Sequence, residues 1–321
     1  MTPDRPVANA PYYTLKHDGL TVEGWSRAAV QSYWRVPELN IGFDLGAQPW
    51  DFMGTPTWFV SHTHLDHIAA LPVYVARRRM MKMEPPTIYV PEEAVEDVRL
   101  LMKAIQRLDR GRQDREVVKG IAAGGVVELG RNHVVKAFKT QGSGVAADEI
   151  PDDELESPDH VVRVVDSVHT IPSRGFVVYE KRKKLKKEYL GLPGAKIKEL
   201  RLAGEAAGNP IIEEVEDPIV AYTGDTAPAG LDNTPAFFQA KILITEMSFI
   251  RESHRREKIH KFGHMHLDDF IERADRFENE RIVVAHFSTR YHPNEIRRTL
   301  DKKLPAALRK KMYLWGCEDG C

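Results

Sequence analysis

Val60-Ser61-His62-Thr63-His64-Leu65-Asp66-His67-Ile68 places three imidazoles and a carboxylate within six residues, directly behind the apolar run Thr57-Trp58-Phe59-Val60. So many nitrogen and oxygen donors in one short loop are costly to bury unless something binds them. A borderline cation such as zinc takes this kind of donor set. A lone histidine is more often an ordinary hydrogen-bonding side chain. The complete H-x-H-x-D-H cluster points to a metal.

Four later positions repeat the logic of that loop. His169 follows Val164-Val165-Asp166-Ser167-Val168, and Asp225 follows Ala221-Tyr222-Thr223-Gly224. Glu246 follows Ile242-Leu243-Ile244-Thr245, and His286 follows Ile282-Val283-Val284-Ala285. Any one of these is at even odds a strand-end polar group bonded to backbone. A His or Asp beyond one β-rich run after another is how a site is assembled from distant segments.

Between these points the pattern alternates. Strands are predicted over Tyr13–Leu20, Ala28–Tyr33, Glu38–Gly46, Thr57–Val60 and Thr87–Val90, with Asp44-Leu45-Gly46 read as a turn at a sheet edge. Further strands are predicted over Val126–Leu129, Val134–Phe138, Val161–Val165, Phe176–Glu180, Ile219–Tyr222, Ile242–Thr245 and Arg281–His286. Helices are predicted from His67 to Met80, from Pro91 to Leu108, over Leu267–Phe277 and over Pro293–Lys302. The acidic stretch from Asp148 to Asp159 reads as a mobile loop. The expectation is one α/β layered domain spanning residues 1–321, with an inserted basic arm at about 181–205 and the site along one sheet edge.

Composition narrows the class. At 321 residues, 42% hydrophobic and 29% charged, the chain is built as an ordinary globular protein. No apolar run approaches the roughly 18 residues that span a bilayer, and Met1–Pro6 shows no signal-peptide core. The two cysteines, Cys317 and Cys321, exclude a disulfide scaffold. The expected home is cytoplasmic, with no membrane partner. A net charge of −1 gives no overall bias toward nucleic acid, although Lys181-Arg182-Lys183-Lys184 is a dense basic run.

His62-Thr-His64-Leu-Asp66-His67, followed in order by His169, Asp225 and His286, resembles the metallo-β-lactamase superfamily. That likeness implies a four-layer αββα sandwich and a two-metal site. His62, His64 and His169 would hold one zinc, Asp66, His67 and His286 the second, with Asp225 bridging. Zinc is the expected metal and manganese the alternative.

Within the superfamily the sequence is similar to ribonuclease Z, which cuts the 3′ trailer from precursor tRNA. Four segments carry the likeness. They are His286-Phe287-Ser288-Thr289-Arg290-Tyr291, His169-Thr-Ile-Pro-Ser-Arg-Gly-Phe176, Thr245-Glu246-Met247-Ser248-Phe249, and Gly263-His264 ahead of a helix. The likeness implies hydrolysis of an RNA phosphodiester through a metal-bound hydroxide. Asp66 would take the water's proton, and His264, supported by Glu246, would protonate the leaving 3′ oxygen. His266 is the competitor for that last role, since only one of the two can face the site.

Ser288 and Arg290 are the expected substrate contacts, Arg290 through its fork of donors to phosphate. The arm at 181–205 occupies the place of the family's RNA-gripping arm, and a homodimer sharing that arm is implied. One departure stands out. Gly24–Gln31 replaces the family's Pro-x-x-Arg-Asn-type loop, with only Ser26-Arg27 reminiscent. The competing readings are a two-metal phosphodiesterase for small esters, a lactonase or thioesterase, and an RNA-binding scaffold without catalysis.

Overall fold

A computed structural model describes residues 10–110, 117–129, 160–206 and 211–317. The strand predicted over Val134–Phe138, the acidic stretch 148–159 and Cys321 lie outside the described residues.

Among the described residues, two seven-stranded sheets form the centre of the molecule. The first runs in chain order through β1 (Tyr13–His17), β2 (Leu20–Arg27), β3 (Gln31–Val36), β4 (Ile41–Leu45), β5 (Thr57–Phe59), β6 (Thr87–Pro91) and β7 (Val118–Ile121). The second runs through β8 (Val126–Leu129), β9 (His160–Ser167), β10 (Ser173–Leu185), β11 (Ile212–Tyr222), β12 (Ile242–Glu246), β13 (Arg281–Ala285) and β14 (Met312–Leu314). Each sheet begins antiparallel and turns parallel, from β4 onward in the first and from β11 onward in the second.

The central parallel strands β4, β5, β12 and β13 are nearly continuous apolar runs because both of their faces are covered. Alternate residues along each strand serve different layers. Phe59 joins Phe43, Phe176, Tyr222 and Ile244 in the seam between the sheets, while Trp58 and Val60 pack outward. Phe43 and Phe176 stack across that seam with ring centroids 5.8 Å apart. Outside the first sheet, Trp58, Ile88 and Val90 pack with residues of the helices Leu71–Met80 and Val95–Asp109. Outside the second, Val177, Leu243, Ile282 and Val284 pack with the helices Leu267–Glu272, Pro293–Lys303 and Ala306–Lys311. The layer order is helix, sheet, sheet, helix. Among the described residues no helix is long and apolar enough to cross a membrane.

Several boundaries differ from the sequence reading, each for a local reason. The helix expected from His67 to Met80 is two helices, Leu65–Ile68 and Leu71–Met80, because Pro72 has no N–H for a continuous ladder and favours a new first turn. The strand expected over Tyr13–Leu20 reverses at Asp18-Gly19, both with positive φ, and returns as β2. The strand expected over Ala28–Tyr33 is instead the tip of the β2–β3 hairpin. Ala29 sits there at φ 60° and its N–H donates to the Asp66 carboxylate at 2.9 Å, so a tertiary contact sets the turn.

The arm is a ribbon with a helix at its end. Lys181–Leu185 continues β10 and pairs with Ile212–Glu216 of β11, and the helix Gly194–Ala206 lies between the two strands in sequence. Lys181 stands opposite Glu216 and Lys183 opposite Glu214, while Lys184 Nζ reaches Asp217 at 2.9 Å. The basic run therefore faces a ladder of carboxylates, and much of its charge is matched within the ribbon.

Candidate metal centre

The carboxyl ends of the central strands of both sheets converge on one crevice, the usual position of a site in open α/β sheets. β5 leads into Ser61 and His62, and the short helix Leu65–Ile68 carries Asp66 and His67. From the other sheet, β9 leads to His169, β11 to Asp225 and β13 to His286. Gly46 allows the two halves of this wall to meet, since a Cβ there would fall 1.8 Å from the Asp66 carbonyl oxygen.

The side chains form two adjoining groups. His62 Nε2 lies 3.1 Å and His169 Nε2 3.2 Å from His64 Nδ1. Asp66 Oδ2 lies 3.6 Å from His67 Nε2 and 3.5 Å from His286 Nε2. Asp225 Oδ2 sits between the groups, 3.8 Å from His62, 3.4 Å from His67 and 3.3 Å from His286. In each of the sets His62–His64–His169 and Asp66–His67–His286 the donor atoms lie within 4.8 Å of one another, and Asp225 forms such sets with His62 and His67 and with His264 and His286.

This arrangement fits a cation on three grounds. Donors around a tetrahedral ion bound at about 2.0–2.1 Å stand about 3.3 Å apart, close to the imidazole spacings found here. His67 Nε2 and His286 Nε2 are buried and have no hydrogen-bond partner, although both face carboxylates. Protonation also follows suit. Burial pushes the His62, His64 and His169 imidazoles below their ordinary value, which leaves lone pairs free to donate. Burial opposes ionisation of Asp225, but His286 and His67 outweigh it and hold its carboxyl well below the usual range. Burial likewise opposes charge on His67, and Asp225 and Asp44 overcome it. A positive charge is wanted at that nitrogen.

The sequence reads Asp44 as a turn residue; the structure buries it in β4 instead. It is fully buried and accepts from Ser61 N–H at 2.6 Å, Ser61 Oγ at 2.9 Å, His67 Nδ1 at 2.7 Å and the Tyr222 hydroxyl. The His67 bond fixes the tautomer and turns Nε2 toward Asp66 and Asp225. Four donors match the roughly four acceptor positions of a carboxylate. The sequence signal is an acid inside the apolar strand Ile41-Gly-Phe-Asp-Leu45; the structure adds a left-handed φ of 56°, a strained region for residues other than glycine, though less so for Asp. His286 shows the same strain at φ 60°.

His264 stands beside this cluster. Its Nδ1 lies 3.1 Å and 3.3 Å from the two oxygens of buried Glu246, and its ring centroid is 5.3 Å from that of His169. Burial alone would lower its basicity, but the charge and hydrogen bond of Glu246 outweigh it and push its pKa up to about 9. Glu246 is fixed in turn by the Thr226 N–H at 2.8 Å and by the Ser248 hydroxyl, whose oxygen also lies 3.0 Å from His286 Nδ1. Ser248 lies in the Thr245–Phe249 segment that carries the family likeness, but nothing in its spacing gives it this bond, and a single hydroxyl such as Thr226 carries no spacing signal at all. The competitor, His266, is turned away. It caps the helix Leu267–Glu272 and its Nε2 bonds the Arg251 carbonyl at 3.0 Å.

Arg290 is exposed and lines a cleft that opens on His64, His169 and His264. Ser288 is buried, and its hydroxyl meets the Arg290 N–H at 3.4 Å, so it shapes the turn that presents Arg290. The divergent segment Gly24–Gln31 belongs to the same wall. Ala29 bonds Asp66, and the Arg27 guanidinium donates to the Tyr291 carbonyl.

No family model matches the sequence. Comparison with curated proteins is informative. The chain is 35% identical over 301 residues to tRNase Z TRZ1 of Arabidopsis thaliana, covering 93% of this chain and 96% of that protein. It is 33% identical over 288 residues to the chloroplastic tRNase Z TRZ2 of the same plant, covering 89% and 72%. Among solved structures, the metallo-β-lactamase fold protein YhfI from Bacillus subtilis superposes with a TM-score of 0.52 at 13% identity, over 87% of this chain and 90% of that one. With the layered fold, the converging donors and these relatives together, the chain belongs to the ribonuclease Z (tRNase Z) family of metal-dependent hydrolases with the metallo-β-lactamase fold.

Proposed function

We propose that this protein is a two-zinc endoribonuclease that removes the 3′ trailer from precursor tRNA in the cytoplasm, with manganese as an alternative metal. His62, His64 and His169 would hold one ion and Asp66, His67 and His286 the other, with Asp225 between them. When bound, two such ions would neutralise charge on the phosphate and make water acidic enough to serve as nucleophile near neutral pH.

The chain's own residues supply the rest. Attack at phosphorus breaks the P–O3′ bond, leaving a 3′-hydroxyl upstream and a 5′-phosphate downstream. The departing 3′ oxygen needs a proton, and His264 holds one because Glu246 keeps it charged. Asp66 is the candidate to receive the proton of the attacking water. Burial raises its pKa, but His286 and His67 bring it down to about 2, so it is a better ligand than base and must pass such a proton on. Arg290, presented by the Ser288 turn, is free to meet a phosphate oxygen. The reading extends to a homodimer in which one chain's arm holds RNA for the other, a state that sedimentation measures directly.

One observation carries this reading: the His264–Glu246 pair stands against the donor cluster at the mouth of a cationic cleft. Ester hydrolysis at carbon has no need of such a pair beside the metals. The test offers purified, zinc-loaded protein a precursor tRNA with a 3′ trailer and, separately, a bis-aryl phosphodiester. Cleavage of the tRNA at the trailer junction is expected. Hydrolysis of the aryl ester alone would transfer the assignment to a small-ester phosphodiesterase. His264→Ala is expected to slow turnover on tRNA by about 10²–10⁴-fold with metal content unchanged. Loss of metal in that variant would make His264 a ligand instead of an acid.

A further inference from the structure

The cleft beside the metal centre has a volume of about 560 Å³ and runs from His64, His169 and His264 across the helix Arg256–Lys261. Its outer wall is formed by Arg255, Lys258 and Arg290 together with Phe249 and Phe262. No carboxylate lines it among the described residues, and none of the three cations is paired with one there. Neighbouring arginines that do not line it are paired, Arg251 with Glu295 and Arg256 with Asp269 and Glu272. The cations facing the cleft are thus left for an external anion.

Phe262 is half exposed on this wall, at 50%. A single exposed apolar residue is ordinary and decides nothing by itself. Its placement is what matters. It ends the helix Arg256–Lys261 and precedes Gly263, whose φ of 76° and contact with His169 leave no room for a side chain. A Cβ on Gly263 would fall 2.2 Å from His169 Nδ1. The backbone that carries the ring is therefore held two residues from His264, with Lys258 Nζ over the ring 6.0 Å from its centroid. Phe249 is the less accessible aromatic, since His254 and His264 pack on it at 5.2 Å and 6.3 Å. An accessible ring flanked by unpaired cations is what single-stranded nucleic acid uses, with bases on the ring and phosphates on the cations.

We propose that Phe262 is a stacking platform for the base of the nucleotide immediately 5′ of the cut, with Arg255 and Lys258 holding the phosphates that lead to it. The inference rests on the function proposed above. His264 delivers its proton to the 3′ oxygen of that nucleotide, so the ring next to His264 meets the nucleoside that keeps the 3′-hydroxyl. The downstream fragment leaves from the other side of the phosphorus.

Binding tests this without turnover. An RNA ending at the cut position, with 2-aminopurine as its last base, should lose fluorescence on titration with the wild-type protein, because stacking on an aromatic ring quenches it. Phe262→Tyr should retain the quenching, and Phe262→Leu and Phe262→Ala should abolish it while the RNA still binds. Quenching that persists in the leucine and alanine variants overturns the proposal. Kinetics give a second arm with a precursor made abasic at that nucleotide. Wild type should lose on the order of 10- to 100-fold in kcat/KM on the abasic precursor. Phe262→Ala should cut intact and abasic precursors equally slowly. If the ratio of intact to abasic is the same in both proteins, Phe262 has no part in reading the base. Failure of the wild type to cut any precursor would sink the proposed function instead, so the two failures are distinguishable.

Discussion

Glu246 is buried, and the basic group its carboxylate faces is His264; that pairing sets where the proton sits. Because the folded His264 pKa of about 9 lies above its ordinary 6.5, the pairing stabilises the fold fully below about pH 6.5 and ceases to do so as pH rises through about 9. Glu246→Gln keeps the shape and removes the charge, so the titration of His264 followed by NMR in the metal-free protein is expected to fall from about 9 toward or below the ordinary value. An unchanged midpoint would mean that another group holds the proton. At this scale the sequence was most legible where spacing carried chemistry. His62, His64, Asp66 and His67 announce themselves by crowding. Asp44 does not, because a single acid before Leu45-Gly46 looks like a turn until four donors from Ser61, His67 and Tyr222 are seen to converge on it.

At the scale of elements, the β10–β11 ribbon shows what a charge run means once its partner strand is known. Lys181 and Lys183 share a face with Glu216 and Glu214 directly opposite, and cross-strand pairs of opposite charge hold such ribbons together. Replacing both lysines with glutamate would set like charges against each other. Amide exchange over Lys181–Leu185 and Ile212–Glu216 is then expected to accelerate on the order of tenfold, while Ser173–Glu180, packed in the layered core, stays protected. Equal acceleration along all of β10 would show that the ribbon and the core open as one unit. The strands of the core were readable from their apolar runs. Their boundaries were not, because Pro72 divides a helix that apolar spacing joins, and the Ala28–Val30 turn is set by a contact with Asp66 that lies 37 residues away.

Taken whole, the described residues form two sheets whose hydrophobic seam closes at one end on the candidate metal centre. His62, His64, Asp66 and His67 come from the first sheet's side, and His169, Asp225 and His286 from the second's. This division was already implied by the order of the motifs along the chain, although the pairing of strands into two sheets could not be read from periodicity. It has a mechanical consequence. Ions held as proposed, by donors from both sheets, would join halves that otherwise meet through apolar contacts and a few hydrogen bonds, such as Arg174 N–H to the Ser61 carbonyl at 2.8 Å and the Tyr222 hydroxyl to Asp44. Without ions, Asp225 and Asp66 would remain as buried or half-buried charges opposed, among the described residues, by protonated histidines such as His67 and His286. Ligand that binds only the folded state adds RT ln(1 + [L]/Kd), about 4 kcal/mol at a thousandfold excess over Kd. Stripping the metal with a chelator is therefore expected to lower Tm on the order of 5–10 °C, with recovery on adding zinc, as read by scanning calorimetry. His286→Ala should shrink that difference, because it leaves the second set one donor short. A melting curve indifferent to chelator and zinc alike would mean that the crevice holds no ion in the folded protein.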